Sequence, residues 1–283
     1  MDRKNLKNLL EKYGIKPSRK MGQSFLVDET TLEILAKSLR MNANNPDVVI
    51  EIGCGPGNYT EFLLHEGMKV IAIERDRRLG TICHRRLKNH GGLLIVLADA
   101  TLPPLKQCLS ELSGKIAVTG NIPYSITGKF LKEMKTKYSL AKTASIVLQE
   151  EVANRILAKP KEKNYGAMTL LVNLNWNPEK GILIQPEKFY PHPKVFSRQV
   201  ILKKKEKNIV EPQAMQEFEK FVVEIFKHRR KTIINSLMHA LITLKNHIKD
   251  AKEILRQAEI DTAVRPEELS LDDFIRIFKE IEK

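Results

Sequence analysis

Four stretches of the chain place chemically capable residues where apolar runs end. Glu51-Ile52-Gly53-Cys54-Gly55-Pro56-Gly57 ends one run, Glu74 and Asp99 close two more, and Asn121-Ile122-Pro123-Tyr124 closes a fourth. Glycines let the backbone turn sharply and approach a ligand with no side chain in the way. Taken alone, such a loop equally fits an ordinary strand-to-helix turn, and one terminal carboxylate equally fits a solvated strand end. In succession they describe a nucleoside site. Glu74, 21 residues after Gly53, can accept both ribose hydroxyls, and Asp99 can accept an adenine amino proton.

The loop does not carry the dinucleotide fingerprint, because Asn58 stands where Gly-x-Gly-x-x-Gly requires its third glycine. A ligand with adenosine and no pyrophosphate has no need of the anion site at a helix N-terminus. S-adenosylmethionine answers that description.

The fourth stretch supplies what a methyl donor lacks. The exocyclic amine of adenine is a poor nucleophile, since its lone pair is delocalised into the ring. Two acceptors for its two protons favour a pyramidal nitrogen, and the Asn121 side-chain oxygen and the Ile122 carbonyl can supply them. Pro123 fixes the local backbone, and Tyr124 offers a ring on which a flipped base can stack and whose face favours a nearby sulfonium. No strong general base is required, so catalysis would come from orientation and fixed dipoles. A turn with a packed tyrosine is the plainer alternative.

These residues need a frame that brings strand ends together. After a helical pattern over 29–40, the runs 47–52, 69–74, 93–99, 115–121 and 144–149 are short, apolar and rich in β-branched residues. Segments long enough for crossover helices separate them, which predicts a parallel sheet covered on both faces. Further strands are expected at 167–174, 181–185 and 198–204. The charged stretch 203–212 reads as a linker, and four helical stretches follow it. With 283 residues, and roughly 100–200 residues per domain, two domains are expected.

Lys and Arg total 48 against 34 Asp and Glu, giving a net charge of +14. Such an excess favours phosphate-rich partners, although solubility alone can also account for it. Three widely spaced cysteines and seven histidines show no metal-ligand spacing, so neither a disulfide frame nor a metal site is expected. The N-terminus is too charged for a signal peptide, and no stretch approaches the ~18 apolar residues of a membrane span. A cytoplasmic location is the expectation.

On the motifs KMGQSFL (20–26), EIGCGPG (51–57), Glu74, Asp99, NIPY (121–124), LAKPKEKNYGAMTLL (157–171), FYPHPKVFSRQVIL (189–202), FKHRRKTIINSL (226–237) and RPEELSLDDF (265–274), the chain resembles the ribosomal RNA adenine N6,N6-dimethyltransferases. It resembles most closely the bacterial branch that modifies small-subunit RNA. The resemblance implies an α/β fold, a Rossmann-like class I methyltransferase sheet with a smaller all-helical C-terminal domain. Residues 1–206 would form the S-adenosylmethionine-binding catalytic domain and 207–283 a helical RNA- or ribosome-recognition domain. It implies dimethylation of N6 on two adjacent adenosines in the 3′-terminal hairpin of 16S ribosomal RNA, by a monomer acting on a pre-30S particle during ribosome biogenesis.

By the same resemblance Gln23, Ser24 and Leu26 close over the methionine part of the cofactor, and Gly53 and Gly55 form its backbone cradle. Glu74 meets the ribose, Asp99 the adenine, and Asn121 both cofactor and target base. Asn121, Ile122, Pro123 and Tyr124 form the catalytic stretch, and Phe189 is the second aromatic that sandwiches the base with Tyr124. The family usually carries Asn where this chain has Ser24. Arg198, Lys227, Arg229, Arg230 and Lys231 would contact RNA phosphates, with Lys203, Lys204 and Lys205 nearby. The alternatives are a large-subunit ribosomal RNA adenine methyltransferase and a ribosome-assembly factor that keeps the fold as a nucleic-acid clamp.

Overall fold

The structure, a computed structural model, describes every residue except 19, 20, 103–111, 124, 137, 207, 208, 245–249 and 283. Packing divides the chain into two compact units, Met1–Ala153 with Glu179–Lys204, and Asn154–Pro178 with Lys205–Lys283.

The first unit is built on the apolar runs. β2 (Val48–Ile52), β3 (Lys69–Glu74), β4 (Leu93–Leu97), β5 (Ile116–Asn121) and β6 (Ala141–Gln149) run parallel, and β9 (Ser197–Lys204) pairs antiparallel with β6. The sheet order is β4-β3-β2-β5-β6-β9-β7, with β7 spanning Trp176–Ile184. Progress along the sheet reverses between β2 and β5, and a ligand crevice opens beyond the carboxyl ends of strands at such a switch point. The loop after β2 and the end of β5 both lie there.

Helices α1 (Arg3–Lys12), α2 (Glu29–Asn42), α3 (Asn58–His65) and α4 (Arg77–Leu87) belong to this unit. Three start on an aspartate that accepts a backbone N–H of the first turn: Asp2 from Asn5, Asp28 from Thr31 and Asp76 from Arg78. Leu32, Leu35 and Leu39 of α2 and Leu63 of α3 bury against Val49, Val70 and Ala117 of the sheet. A separate apolar cluster joins Leu6 and Leu10 of α1 to Leu79 and Ile82 of α4. A two-stranded ribbon ties Phe25–Leu26 (β1) to Phe189–Tyr190 (β8), so the segment before α2 is held in place from far along the chain. Helices α5 (Thr127–Met134) and α6 (Glu150–Leu157) follow β5 and β6.

The second unit carries α7 (Ala167–Asn173), α8 (Met215–Lys227), α9 (Ile233–Thr243), α10 (Ala251–Gln257) and α11 (Leu271–Glu282). Its largely aliphatic core contains an aromatic group, in which Phe218 and Phe221 of α8 meet Phe274 and Phe278 of α11. Two expectations differ here. The run 167–174, read as a strand, forms a helix over Ala167–Asn173, because a short apolar run is ambiguous between the two and local capping decides it. The Gly166 N–H donates to Thr169 Oγ1 at 3.1 Å, and the Thr169 hydroxyl donates to the Arg155 carbonyl at 2.6 Å. The segment 154–178, assigned by sequence to residues 1–206, groups with the helices, since Ala158, Tyr165, Leu170 and Leu174 share the core of Phe218 and Phe221. No helix among the described residues is long and apolar enough to cross a membrane.

Candidate active site at the strand ends

A cavity of about 260 Å³ opens where the parallel strands end. Its wall comes from Gln23, Ser24 and Leu26, from Gly53, Cys54 and Asn58 after β2, from Glu74 at the end of β3, from Asp99 after β4, and from Asn121 at the end of β5 with Pro123 beyond it. The sequence spaces these residues over a hundred positions, and the switch point brings them to one crevice.

Backbone geometry explains the loop composition. Gly53, Gly55 and Gly57 have φ of 71°, 57° and 88°, which side chains rarely adopt. Gly120 has φ 152°, and a Cβ there would lie 2.4 Å from the Ile52 carbonyl oxygen. Only glycine lets β5 pass the end of β2 this closely, so Gly120 sets the position of Asn121.

Glu74 is 7% exposed and accepts the Gly55 N–H and the Asp76 N–H, each at 2.8 Å. Burial raises its pKa, against the pull of those two N–H groups. A carboxylate has about four lone-pair directions, so two backbone donors leave acceptor capacity toward the cavity. Asp99 accepts the Thr101 N–H at 2.8 Å and its hydroxyl at 2.7 Å, and Arg75 lies 3.4 Å from its other oxygen. Burial alone would raise the Asp99 pKa, but the Thr101 hydrogen bonds and the Arg75 charge outweigh it and hold the carboxyl below its usual range.

The Asn121 Nδ2 donates to the Ser24 carbonyl at 2.7 Å, which fixes the amide plane and its oxygen end. Ile122 is fully buried and its N–H donates to the Val147 carbonyl at 3.1 Å. The Pro123 carbonyl accepts the Ile126 N–H at 3.0 Å, opening α5. Tyr124 lies outside the described residues. Gln23 reaches Asp76 at 3.4 Å and accepts the Ser18 N–H at 2.7 Å. The Ser24 hydroxyl donates to the Pro191 carbonyl at 2.8 Å, so the side chain ties the segment to the chain beyond β8 while its carbonyl holds Asn121.

Two residues gain a place that their sequence positions did not suggest. Asn58, noted in the sequence only as a missing glycine, is 4% exposed and lines the cavity. Its Nδ2 donates to the Leu26 carbonyl at 2.9 Å, while its buried Oδ1 has no partner. An unmet acceptor on a residue of the cavity wall fits a ligand that donates hydrogen bonds, as a cofactor's ammonium or hydroxyl does. Glu51, hidden inside an apolar strand pattern, is also at the wall; burial pushes its carboxyl up to about 8, against the 2.6 Å hydrogen bond from Thr60.

Two other expectations are corrected. Phe189 is 0% exposed and packed with Leu26, Leu32 and Leu35, so it has no open ring face for a base. Arg198 is 8% exposed; it pairs with Glu150 at 2.9 Å and points one guanidinium nitrogen at the Gly181 carbonyl, which makes it a structural cation within the sheet. Lys203 pairs with Glu179 at 2.9 Å, and the Lys204 ammonium donates to the Ser139 carbonyl. In the helical unit Lys227 pairs with Glu224, and Arg229 with Glu267 at 2.9 Å; Arg230 and Lys231 are exposed. No group of three or more His, Cys, Asp or Glu that could hold a metal ion occurs among the described residues.

The chain is similar to known proteins in sequence and in fold. The family described as ribosomal RNA adenine dimethylase matches residues 15–283. The ribosomal RNA small subunit methyltransferase A of Clostridium acetobutylicum is 32% identical over 277 residues, covering 98% of each chain. Its namesake from Clostridium botulinum is 34% identical over 270 residues, covering 95% of this chain and 96% of the other. Among solved structures, a dimethyladenosine transferase from Plasmodium falciparum aligns with a TM-score of 0.74 at 26% identity, covering 91% of this chain and 97% of that one. The 23S rRNA methyltransferase ErmE shares the fold, with a TM-score of 0.64 at 22% identity over 92% of this chain and all of that one. A match that begins in the segment before the cavity and runs through both compact units leaves one assignment: the chain belongs to the ribosomal RNA adenine dimethylase family.

Proposed function

We propose that the chain dimethylates N6 of two adjacent adenosines in the 3′-terminal hairpin of small-subunit ribosomal RNA, acting on a pre-30S particle in the cytoplasm as a monomer. S-adenosylmethionine, the family's methyl donor, supplies an electrophilic methyl group on a sulfonium. Glu74 and Asp99 would hold its ribose and adenine, and the unmet Asn58 oxygen fits its donors. Gln23 and Leu26 would cover the methionine part, and the Ser24 carbonyl would act on Asn121 rather than on the cofactor.

The target adenine's amine is activated by acceptors, not by a base. The Asn121 oxygen takes one amine proton in a hydrogen bond and the Ile122 carbonyl the other, which favours a pyramidal nitrogen with its lone pair free to attack. Tyr124 would stack on the extruded base. Because the amide is fixed before substrate arrives, little reorganisation accompanies the reaction. The proton released after each transfer leaves to solvent. The observation that carries this reading is the Asn121 amide, locked by Ser24 at the end of β5 on the wall that also holds Glu74 and Asp99.

The test is transfer of tritiated methyl groups to unmethylated small subunits, large subunits and naked RNA in parallel, with wild type and Asn121→Ala. Dimethyladenosine in small subunits, lost in the variant, is the expected result. Transfer to large subunits alone would replace this substrate by the alternative one, and full transfer by the variant would overturn the role of Asn121.

A further inference from the structure

A second feature of the first unit is used by neither the cavity nor the helical unit. Tyr13, Ile15, Arg77, Arg78, Thr81 and Arg85 line a shallow recess where the end of α1 meets α4. Arg77, Thr81 and Arg85 recur at four-residue spacing and so share one helix face, while Leu79, Ile82 and Cys83 bury the opposite face. All three arginines and Thr81 are exposed.

The charges in this recess are not equivalent. Arg78 is satisfied by Asp76, with contacts of 3.1 and 2.8 Å. Among the described residues neither Arg77 nor Arg85 meets a carboxylate. Arg85 instead sits over the Tyr13 ring, 5.9 Å from its centroid, and Tyr13 remains 37% exposed. Lys12 and Lys16 are exposed close by in sequence. Two uncompensated guanidinium groups beside an aromatic face match a phosphodiester backbone carrying an unpaired base, which takes charge and stacking at once. A protein surface would call for carboxylates at the spacing of Arg77 and Arg85 and would make little use of the open ring.

The recess and the cavity also share a segment. Glu74 and Arg75 line the cavity, Arg77 and Arg78 line the recess, and Asp76 between them bonds both Arg78 and the cavity residue Gln23. We infer that the Tyr13–Arg77–Arg85 recess is a second RNA-contact site on the catalytic unit, which takes the phosphodiester backbone and one unpaired base of the substrate RNA away from the methylated adenosine. The inference rests on the RNA-methylating reading above.

The test is equilibrium binding to unmethylated small subunits and to short single-stranded RNA of mixed sequence across a salt series, with methyl transfer measured alongside. Arg77→Glu with Arg85→Glu should lower the slope of log K against log salt by about one unit per lost phosphate. KM for subunits should rise while kcat and cofactor affinity stay unchanged, which also reports an intact fold. Tyr13→Ala should weaken binding to single-stranded RNA by at least about fivefold, and Tyr13→Phe should restore it, since a ring face is all that stacking requires. An unchanged slope in the double arginine variant overturns the inference. So does a recess that binds adenosine monophosphate while its variants hold RNA at wild-type affinity, which would make it a mononucleotide site. A wild type that binds RNA without methylating it overturns the proposed function instead, so the two failures are distinguishable.

Discussion

The cavity at the strand ends and the basic stretch 227–231 are both charged, but they hold their charge differently. Glu74 is fastened by the Asp76 N–H and by the Gly55 N–H of the loop after β2, and Asp99 by the N–H and hydroxyl of Thr101, all at 2.7–2.8 Å, and Glu74 is 7% exposed. Lys227 and Arg229 are held by acidic neighbours near the surface, Lys231 is exposed with its ammonium 3.1 Å from His239 Nε2, and Arg230 is exposed. Surface ion pairs contribute only ~0–1 kcal/mol, so such a side chain exchanges a carboxylate for a phosphate at little cost. A buried carboxylate with fixed donors cannot move and therefore selects the ligand that matches it. The first region is suited to orienting one molecule, the second to contacting a polyanion without reading its sequence.

The largest test of this contrast is Asn121→Ala. Turnover should fall on the order of 10²- to 10³-fold, by analogy with removal of one preorganised hydrogen-bonding group, while RNA affinity holds. Single-turnover methylation alongside filter binding separates the two, and a parallel loss of RNA affinity would mean that the strand end is part of the binding surface.

Glu51 tests the buried side through pH. Its carboxyl sits at about 8 in the folded chain against an ordinary 4.5, so between those values the native state keeps a proton that the unfolded state has released. Its stabilising contribution is therefore complete below about pH 4.5, declines as pH rises, and is gone above about pH 8. Urea unfolding between pH 5 and 8 should show a stability loss of about 1.4 kcal/mol per pH unit from this group. Glu51→Gln, which cannot titrate, should flatten the profile.

Glu74→Ala should weaken cofactor binding by about 1.5–3 kcal/mol, the range for a hydrogen bond to a charged group. Calorimetric titration reads it, and an unchanged affinity would remove Glu74 from the ligand site. The smallest effect belongs to the surface. Lys227→Ala should change folding stability by less than about 1 kcal/mol. Arg230→Glu should lower the salt slope of RNA binding by about one unit, with cofactor affinity untouched. A large stability loss in either variant would show that this stretch is structural.

Much of the site was legible because each parallel strand delivers its last residue to the same edge. Gly53, Glu74, Asp99 and Asn121 could thus be read from the ends of apolar runs, and all of them line the cavity. Residues whose role depends on what packs over them were not legible. Phe189 sits in a motif suggesting a stacking ring, yet the β1–β8 ribbon carries it into the core. Arg198 counted toward a basic run until β9 placed it against Glu150. Asn58 gave one signal, an amide directly after a glycine-rich loop, but its unmet oxygen exists only because Leu26 takes the other end of the side chain.

By itself the sequence determined what is local or periodic: the parallel strands, the glycines with positive φ, the carboxylates closing β3 and β4, and the excess of positive charge. These follow from backbone sterics and side-chain spacing, which each short segment carries within it. The tertiary structure alone decided which charges are buried, which helix the 167–173 run became, and that a serine carbonyl at position 24 locks the amide at 121. Those outcomes depend on groups brought together from distant parts of the chain, where burial and hydrogen-bond partners, rather than residue type, set what a side chain can do.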